Sequence, residues 1–418
     1  MSGEADYRAL HDFLARHREQ QRRFLAELVR VPSDNPPGDC APHAARATEL
    51  LEGLGFSVES HPVPIELVRE NGMVSATNLV VRERFGAAGR GGPTVALNAH
   101  GDVVPPGQGW TRDPYGAAIE NGAMYGRGVA VSKSDFATYA FALLALKSLH
   151  GLNGAIELHF TYDEEAGGTI GPKYLLDRGI VKPDYAIAAG FSYNVVVAHN
   201  GCLHLEVAVK GKQAHAALPE TGVDALEAAT GILDALYAFR RTLEVKRSRV
   251  SGIGAPTLVV GLIHGGVNTN VVPDLVTFRL DRRFIPEEDG AAVEEELRRV
   301  VANAVRRYAG VQVQVRCILM AEPLKPMAGQ DKLLEPLLRH AKRVLGETIG
   351  ADGVPLYTDA RHYAAAGIPI VLYGAGPRGI IEAGAHAADE HLRLDDLDKA
   401  TEIVAATLRD MLQEPPNG

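Results

Sequence analysis

Apolar strand-like runs alternate with amphipathic helical segments in the first and last parts of the chain. In order, the signals are helices near residues 4–30 and 41–54, apolar runs TVALNAH (94–100), AIELHFTYD (155–163) and DYAIAA (184–189), a helix near 331–346, a run PIVLYGAG (369–376) and a helix from about 394 to 413. This alternation predicts an α/β fold in which helices cover the faces of a sheet.

The middle of the chain has a different pattern. It contains, in order, a strand at LHLEVAVKG, a helix at DALEAATGILDALYAF, strands at TLVVGLIHGG and DLVTFRLDRRF, a helix at AAVEEELRRVVANAVRRY and a strand at VQVQVRC. Two strand–helix–strand units of this kind predict a small α+β sandwich. A chain of 418 residues is also longer than a single hydrophobic core usually accommodates. We therefore expect a discontinuous first domain over 1–203 and 320–418, interrupted by a second domain over 204–319.

Composition and charge narrow the class of protein. The chain is 46% hydrophobic and 23% charged, as is usual for a globular protein, and its net charge of −9 includes no basic cluster that would favour nucleic acid. No apolar run approaches the ~20 residues that span a bilayer, and the N-terminus lacks a signal-peptide core. We expect a cytoplasmic protein. Its three cysteines, Cys40, Cys202 and Cys317, are widely spaced and are interpreted as structural.

Histidines and carboxylates follow the predicted strands of the first domain. His100 ends the run at 94–100 and Asp102 follows it, Glu164 and Glu165 follow the run at 155–163, and His386 lies in GAHAADE. The carboxyl ends of strands are where α/β sheets usually bind ligands. A His-x-Asp pair suits a metal site, because the carboxylate can orient a metal-bound imidazole.

Nine motifs occur in an order and at separations that are specific to one family. They are AHGDVVP, GWTRDPYGA, MYGRG, DEEAGG, VKGKQAHAALPETGVDA, NTNVVPD, LDRRFIPEE, TDARH and AGAHAADE. Over nearly its whole length the chain resembles the di-zinc amidohydrolases and metallopeptidases that include acetylornithine deacetylase, succinyl-diaminopimelate desuccinylase, aminoacylase and glutamate carboxypeptidase. The resemblance implies a zinc-peptidase-like catalytic domain, with a mixed sheet flanked by helices, and an inserted lid and dimerisation domain.

The positions that bind two zinc ions in that family are only partly retained. Carried over by motif, they are His100, Val131, Glu165, Gly190 and His386, so two carboxylates are missing. A bridging carboxylate is what holds two cations roughly 3.5 to 4 Å apart. We therefore expect either no metal or a single divalent ion, zinc, cobalt or manganese, which Asp135 or water could help to bind.

The resemblance also implies roles in the chemistry itself. Glu164 matches the general base, and burial of its carboxylate would raise its basicity. Without metal, His100 and Asp102 could act as an acid–base pair. Lys133 could supply a positive charge in place of zinc, although Ser132, Lys133 and Asp135 are more simply interpreted as loop and helix-cap residues.

Four further positions lie in the inserted domain. His215 matches a residue that polarises the substrate carbonyl across a dimer interface, which implies a homodimer. Asn270 and Arg283 match substrate-binding positions, and an arginine suits this role because its planar fork binds a carboxylate at two points. The neighbouring Arg282 is an alternative to Arg283. The expected substrate is a small molecule with carboxylate and amide groups.

Three hypotheses follow from these residues. The first is an amidohydrolase acting on an N-acyl or N-carbamoyl amino acid or a small peptide, with a depleted metal site. The second is a metal-independent isomerase, racemase or lyase that moves a proton next to a carbonyl. The third is a non-catalytic binding protein, which the retention of Glu164, His215 and Arg283 disfavours.

Overall fold

A computed structural model describes residues 2–86, 91–379, 382 and 384–413 of the chain. The helices are α1 Ser2–Val29, α2 Ala41–Gly53, α3 Ile65–Glu70, α4 Lys133–Leu146, α5 Pro172–Asp177, α6 Ala225–Leu243, α7 Gly290–Val305, α8 Asp331–Leu345, α9 Ala360–Ala365 and α10 Leu394–Leu412. Short 3₁₀ turns cover Glu164–Ala166 and Pro219–Thr221. The part of the chain so described has no helix with the length and apolar character needed to cross a membrane.

The strands alternate with these helices as the sequence pattern predicts. They are β1 Val58–Pro62, β2 Thr77–Phe85, β3 Thr94–His100, β4 Ala118–Glu120, β5 Ala123–Tyr125, β6 Gly154–Thr161, β7 Tyr185–Ala188, β8 Asn194–His199, β9 Gly201–Lys210, β10 Thr257–Gly265, β11 Leu275–Phe284, β12 Gln312–Ala321, β13 Gly350–Val354, β14 Ile370–Leu372 and β15 His391–Arg393.

The largest sheet is mixed and places the candidate site residues beyond the carboxyl ends of neighbouring strands. Its order is β1-β2-β6-β3-β7-β14-β8-β13. β3 runs parallel to both β6 and β7, whereas β2 pairs with β6 in the antiparallel direction. Because parallel neighbours end on the same side, His100 at the end of β3 and Glu164 beyond β6 are brought to one edge of the sheet. The predicted mixed α/β architecture is confirmed.

Helix α4 is buried on nearly all its sides. It packs against α1, α10 and β3, and Leu144 is the one residue between Lys133 and Leu146 that is not fully buried. A helix that is apolar all round belongs in the interior of a protein. Its first turn carries Lys133 and Asp135 into the core, which constrains the loop that precedes it.

The inserted region forms a four-stranded antiparallel sheet with two helices. The strand order is β10-β11-β9-β12, and α6 and α7 bury one face of this sheet. Aspartates cap both helices: Asp224 accepts hydrogen bonds from the amides of Leu226 and Glu227, and Asp289 accepts one from Ala292. The strands alternate buried and exposed residues, as expected for a sheet with one covered face.

The chain divides into two compact units. The first comprises residues 1–197, 326–351 and 358–418, and the second comprises 198–325 and 352–357. The second unit is therefore slightly wider than the segment 204–319 expected from the sequence, and it gains a short return at 352–357. That each unit corresponds to an independent domain stays a prediction.

A buried network around Asp410 joins three helices of the first unit. The Asp410 carboxylate accepts hydrogen bonds from Tyr7 of α1 at 2.7 Å, from His340 of α8 at 2.8 Å and from Arg409 at 2.9 Å. These partners outweigh the effect of burial and hold the pKa of Asp410 well below its usual range. The network fixes the ends of α1, α8 and α10 relative to each other.

We expect Asp410→Asn to destabilise the protein by about 2 kcal/mol, because the hydrogen bonds from Tyr7, His340 and Arg409 lose their charged acceptor. Asp395→Asn, at an exposed i,i+4 pair with Lys399, is the control and should cost less than about 1 kcal/mol. Since the folded pKa of Asp410 is depressed, its contribution is present above pH ~4 and is lost as the pH falls further. Urea unfolding of both variants at neutral and acidic pH measures this, and equal losses would contradict it.

Candidate active site

Asp102 organises the candidate site. Its fully buried carboxylate accepts hydrogen bonds from the side chain of Asn35 at 3.1 Å and from the backbone amides of Glu164 and Glu165 at 3.2 Å each. Nδ1 of His100 lies 2.9 Å from the main-chain oxygen of Asp102 and 3.4 Å from its carboxylate. One carboxylate therefore positions both the histidine and the turn that carries the two glutamates.

His100, Glu164 and Glu165 form a compact cluster of potential metal ligands. One ligand atom from each lies within 4.8 Å of the others. Because Nδ1 of His100 faces Asp102, its Nε2 is the ring nitrogen left to bind a metal. An imidazole nitrogen and two carboxylates are suitable ligands for one divalent transition-metal ion.

The surroundings of the site raise the pKa values of both Glu164 and His100. Burial raises the pKa of Glu164 to about 8, which agrees with the raised basicity expected from the sequence. Burial alone would lower the pKa of His100, but the hydrogen bond with Asp102 and the charges of Glu164 and its neighbours raise it well above the usual value.

His386 completes the cluster through Glu165. Its Nε2 lies 3.4 Å from Oε1 of Glu165, and this contact raises the pKa of His386. The neighbouring acids Asp389 and Glu390 bond elsewhere: Asp389 accepts a hydrogen bond from the amide of Thr111, and Glu390 pairs with Arg127 at 2.6 Å. The structure thus links His386 to Glu165, which lies close to His100, although His386 is not itself one of the three mutually close residues.

A buried ion pair braces the loop around position 131. Glu390 accepts a hydrogen bond from the amide of Ala130 at 3.0 Å, and its partner Arg127 donates to the carbonyl of Ala387 at 3.2 Å. The pair therefore ties the loop before α4 to the segment that carries His386. Sequence reasoning assigned no role to Arg127 or Glu390, because they are far apart in the chain.

Positions 131 and 190, where the family has carboxylates, hold a valine and a glycine. Val131 packs against the hydrophobic core. A Cβ atom placed on Gly190 would lie 2.8 Å from backbone atoms of Leu372 and Tyr373, closer than real contacts allow. A side chain at position 190 would therefore require the backbone at Leu372 and Tyr373 to shift.

Asp135 does not take over as a ligand. Its carboxylate accepts a hydrogen bond from the amide of Ala375 at 2.7 Å, and burial raises its pKa to about 7. Among the described residues it is not one of the cluster's mutually close ligands. Ser132 stands before α4 but does not cap it; its hydroxyl bonds the backbone of His100 instead. Ser132 therefore occupies the expected N-cap position of α4 without making a side-chain hydrogen bond to the helix.

Lys133 is directed elsewhere than expected. It is fully buried, and its Nζ donates to the carbonyl of Val31 at 3.0 Å and to that of Leu28 at 3.4 Å. Burial lowers its pKa to about 7. Its hydrogen bonds hold the end of α1, so we do not retain Lys133 as a substitute for zinc.

The two candidate arginines of the second unit have different surroundings. Arg282 is fully buried and donates to Glu288 at 2.9 Å and to the carbonyl of Arg283. Arg283 is partly exposed and donates to both carboxylate oxygens of Asp281. Because Arg282 is fully buried whereas Arg283 is partly exposed, Arg283 is the more suitable of the two for contact with a ligand, and this role stays a prediction.

His215 and Asn270 are neighbours in the second unit. The amide of Ala216 donates to the carbonyl of Asn270 at 3.0 Å, and Nδ1 of His215 accepts from the amide of Ala217 at 3.0 Å. Both residues are exposed. Their catalytic and substrate-binding roles stay predictions.

Two further residues lie near the cluster and were not selected from the sequence. Asp359, in the motif TDARH, is buried, and burial followed by the charge of Glu164 raises its pKa well above the usual range. Arg361 donates to the carbonyl of Gly167, in the turn after the glutamates. The motif indicated that this segment mattered, but only the fold shows that it lies beside Glu164.

The sequence of the chain is similar to those of known proteins over most of its length. Residues 96–410 match the model of peptidase family M20/M25/M40. The chain is 29% identical to a succinyl-diaminopimelate desuccinylase of Gluconacetobacter diazotrophicus, over 92% of this chain and 95% of the relative. It is 28% identical to an acetylornithine deacetylase of Myxococcus xanthus, with the same two coverages.

Solved structures share the fold. A dinuclear metal-binding peptidase of the M20 family from Bacillus subtilis superposes with a TM-score of 0.67 at 18% identity, covering 95% of this chain and 99% of that one. The matched model spans most of the chain and includes the cluster around His100. The chain belongs to the peptidase family M20/M25/M40.

Proposed function

We propose that the protein is an amidohydrolase that acts on an N-acyl or N-carbamoyl amino acid or a small peptide, with at most one divalent metal ion. The observation that carries the proposal is the cluster of His100, Glu164 and Glu165, held by Asp102 and joined by His386. The names of the relatives, a desuccinylase and a deacetylase, support hydrolysis of an acyl–nitrogen bond.

Glu164 is our proposed general base. Its carboxylate takes a proton from water as the water oxygen attacks the substrate carbonyl, and it returns the proton to the leaving nitrogen as the carbon–nitrogen bond breaks. A bound divalent ion would polarise the carbonyl and lower the pKa of water. Asp102 keeps the two glutamates and His100 in place, while Arg283 and Asn270 are our proposed groups for a substrate carboxylate.

The metal centre is proposed to be at most mononuclear. His100, Glu165 and His386 would hold the ion, with zinc, cobalt or manganese suited to these ligands. Support comes from the apolar side chain at Val131 and from the backbone that crowds position 190. With both carboxylates absent, a second cation would lack its ligands.

Glu164→Gln should lower kcat by about 100-fold or more on N-acyl amino acids, with a much smaller change in KM, because the amide cannot take the proton. Glu66→Gln, at an exposed position on α3, is the matched control and should be unchanged. Steady-state kinetics on a panel of N-acetyl, N-succinyl and N-carbamoyl amino acids measures this. An unchanged kcat in Glu164→Gln would rule out the proposed base.

The zinc content of the wild type should exceed that of His100→Ala by no more than one ion per chain. This difference is the His100-dependent zinc. Val131→Asp should raise the affinity of this zinc by about tenfold or more, because it restores one anionic ligand. Val131→Asn, of similar shape but without charge, should not. Elemental analysis and competition with a chelator measure both, and two tightly bound His100-dependent ions in the wild type would contradict the proposal.

The second candidate function is metal-independent proton transfer next to a carbonyl. The observation that favours it is the closeness of His100 and Glu164, whose ligand atoms lie within 4.8 Å of each other. The raised pKa of His100 makes its ring a proton donor, and the pKa of about 8 makes the ionised Glu164 carboxylate a stronger base than usual. Incorporation of solvent deuterium at a substrate α-carbon in the presence of a chelator would establish it. Activity that is lost to chelator and restored by zinc would exclude it.

We further propose that the chain forms a homodimer through β10. This strand lies at the edge of the four-stranded sheet and exposes Val259, Leu262 and Ile263. An edge strand offers unpaired backbone groups, and exposed apolar side chains on it favour pairing with a second copy.

Leu262→Lys should convert the dimer to a monomer, because it places a charge within the proposed apolar contact. Ile119→Lys, at an equally exposed apolar residue of β4, is the control and should remain dimeric. Light scattering during gel filtration gives the mass, to be compared with 44.7 kDa for one chain. A monomeric wild type at micromolar concentration would refute the proposal.

A further inference from the structure

A second group of potential metal ligands lies in the second unit, on strands β9 and β11. Cys202 and His204 are two residues apart on β9, so their side chains share one face of the sheet, and Asp281 lies opposite His204 on β11. Of the residues that the structure describes, only these three and the cluster at His100 form groups of this kind.

The three ligand atoms already lie at the spacing of a coordination shell. Nε2 of His204 is 2.9 Å from Oδ2 of Asp281 and 3.3 Å from Sγ of Cys202, and the sulfur is 3.9 Å from the same carboxylate oxygen. Tetrahedral zinc with ordinary bond lengths separates such ligands by about 3.3 to 3.7 Å. Small side-chain adjustments would therefore place one ion within bonding distance of all three atoms.

Without metal, one nitrogen atom of His204 takes part in two of the three contacts. A single nitrogen, Nε2 of His204, faces both the thiol and the carboxylate, although one N–H can be directed well at only one of them. A metal ion at the centre of the three atoms would satisfy all of them at once. The thiol would lose its proton to solvent, and the imidazole would bind in its neutral form.

The charges and the surroundings also suit one divalent ion. A thiolate and a carboxylate balance its two positive charges. Arg283 donates to the Asp281 carboxylate from outside the cluster, as residues beyond the ligands commonly do at metal sites. Cys202 is fully buried, whereas the side chains of His204 and Asp281 are 35% and 31% exposed, which leaves a side open to water.

We propose that Cys202, His204 and Asp281 bind a single zinc ion, with water as the fourth ligand. Thiolate, imidazole and carboxylate together select zinc among the common divalent ions. The site lies wholly within the second unit and is separate from the cluster at His100. It revises the interpretation of Cys202 as purely structural, an interpretation that rested on cysteine spacing and could not include Asp281, remote in the chain.

Cobalt(II) is the spectroscopic probe for this site, because only a bound thiolate gives a sulfur-to-cobalt charge-transfer band in the near ultraviolet. Reduced, chelator-treated full-length protein should develop this band on titration, saturating at one cobalt per chain. Cys202→Ser should abolish the band, and His204→Gln should weaken cobalt binding by about tenfold or more. Cys317→Ser, on the neighbouring strand β12, is the matched control and should keep the band.

His100→Ala separates this site from the proposed active site and should also retain the full band. Circular dichroism verifies the fold of each variant; if the buried Cys202→Ser fails to fold, His204→Gln at a partly exposed position carries the same test. A wild type without the band, or a band that persists in folded Cys202→Ser, would overturn the proposal in favour of a metal-free hydrogen-bond cluster.

Discussion

The buried carboxylate of Asp102 is the interaction on which the candidate active site depends. It receives the amides of Glu164 and Glu165, the side chain of Asn35 and the Nδ1 side of His100, so residues beyond two different strands are held by one group. A buried anion is stable only when it is paired or fully hydrogen-bonded. Asp102 meets that condition through the same residues that form the cluster, which makes its stability and the site's geometry inseparable.

Our proposal of a single metal ion rests on what surrounds the cluster. Two divalent ions about 4 Å apart repel by on the order of 15 kcal/mol at an effective dielectric constant near 20, and ligand anions must offset this repulsion. Val131 offers no charge, and the backbone at Leu372 and Tyr373 would have to shift to admit a side chain on Gly190. One cation, sharing Glu165 and the two histidines, requires neither of the missing ligands.

Much of this arrangement could be predicted from the sequence. Strand ends and family motifs located His100, Glu164, Glu165 and His386. The hydrophobic pattern predicted a helix-covered sheet and the inserted sandwich, and the family resemblance implied that the sheet is mixed. Residue patterns could not show side-chain direction: Lys133 proved to bond the end of α1, and Arg282 proved to be buried against Glu288. They also could not show partners distant in the chain, such as Arg127 with Glu390, or Cys202 with Asp281.

The central claim is that the loss of two carboxylates limits the active site to one cation. Anomalous diffraction at the zinc absorption edge, from crystals grown with excess zinc, tests this most directly. We predict a single peak, or none, among His100, Glu165 and His386. Two ordered peaks roughly 3.5 to 4 Å apart at that position would contradict the account.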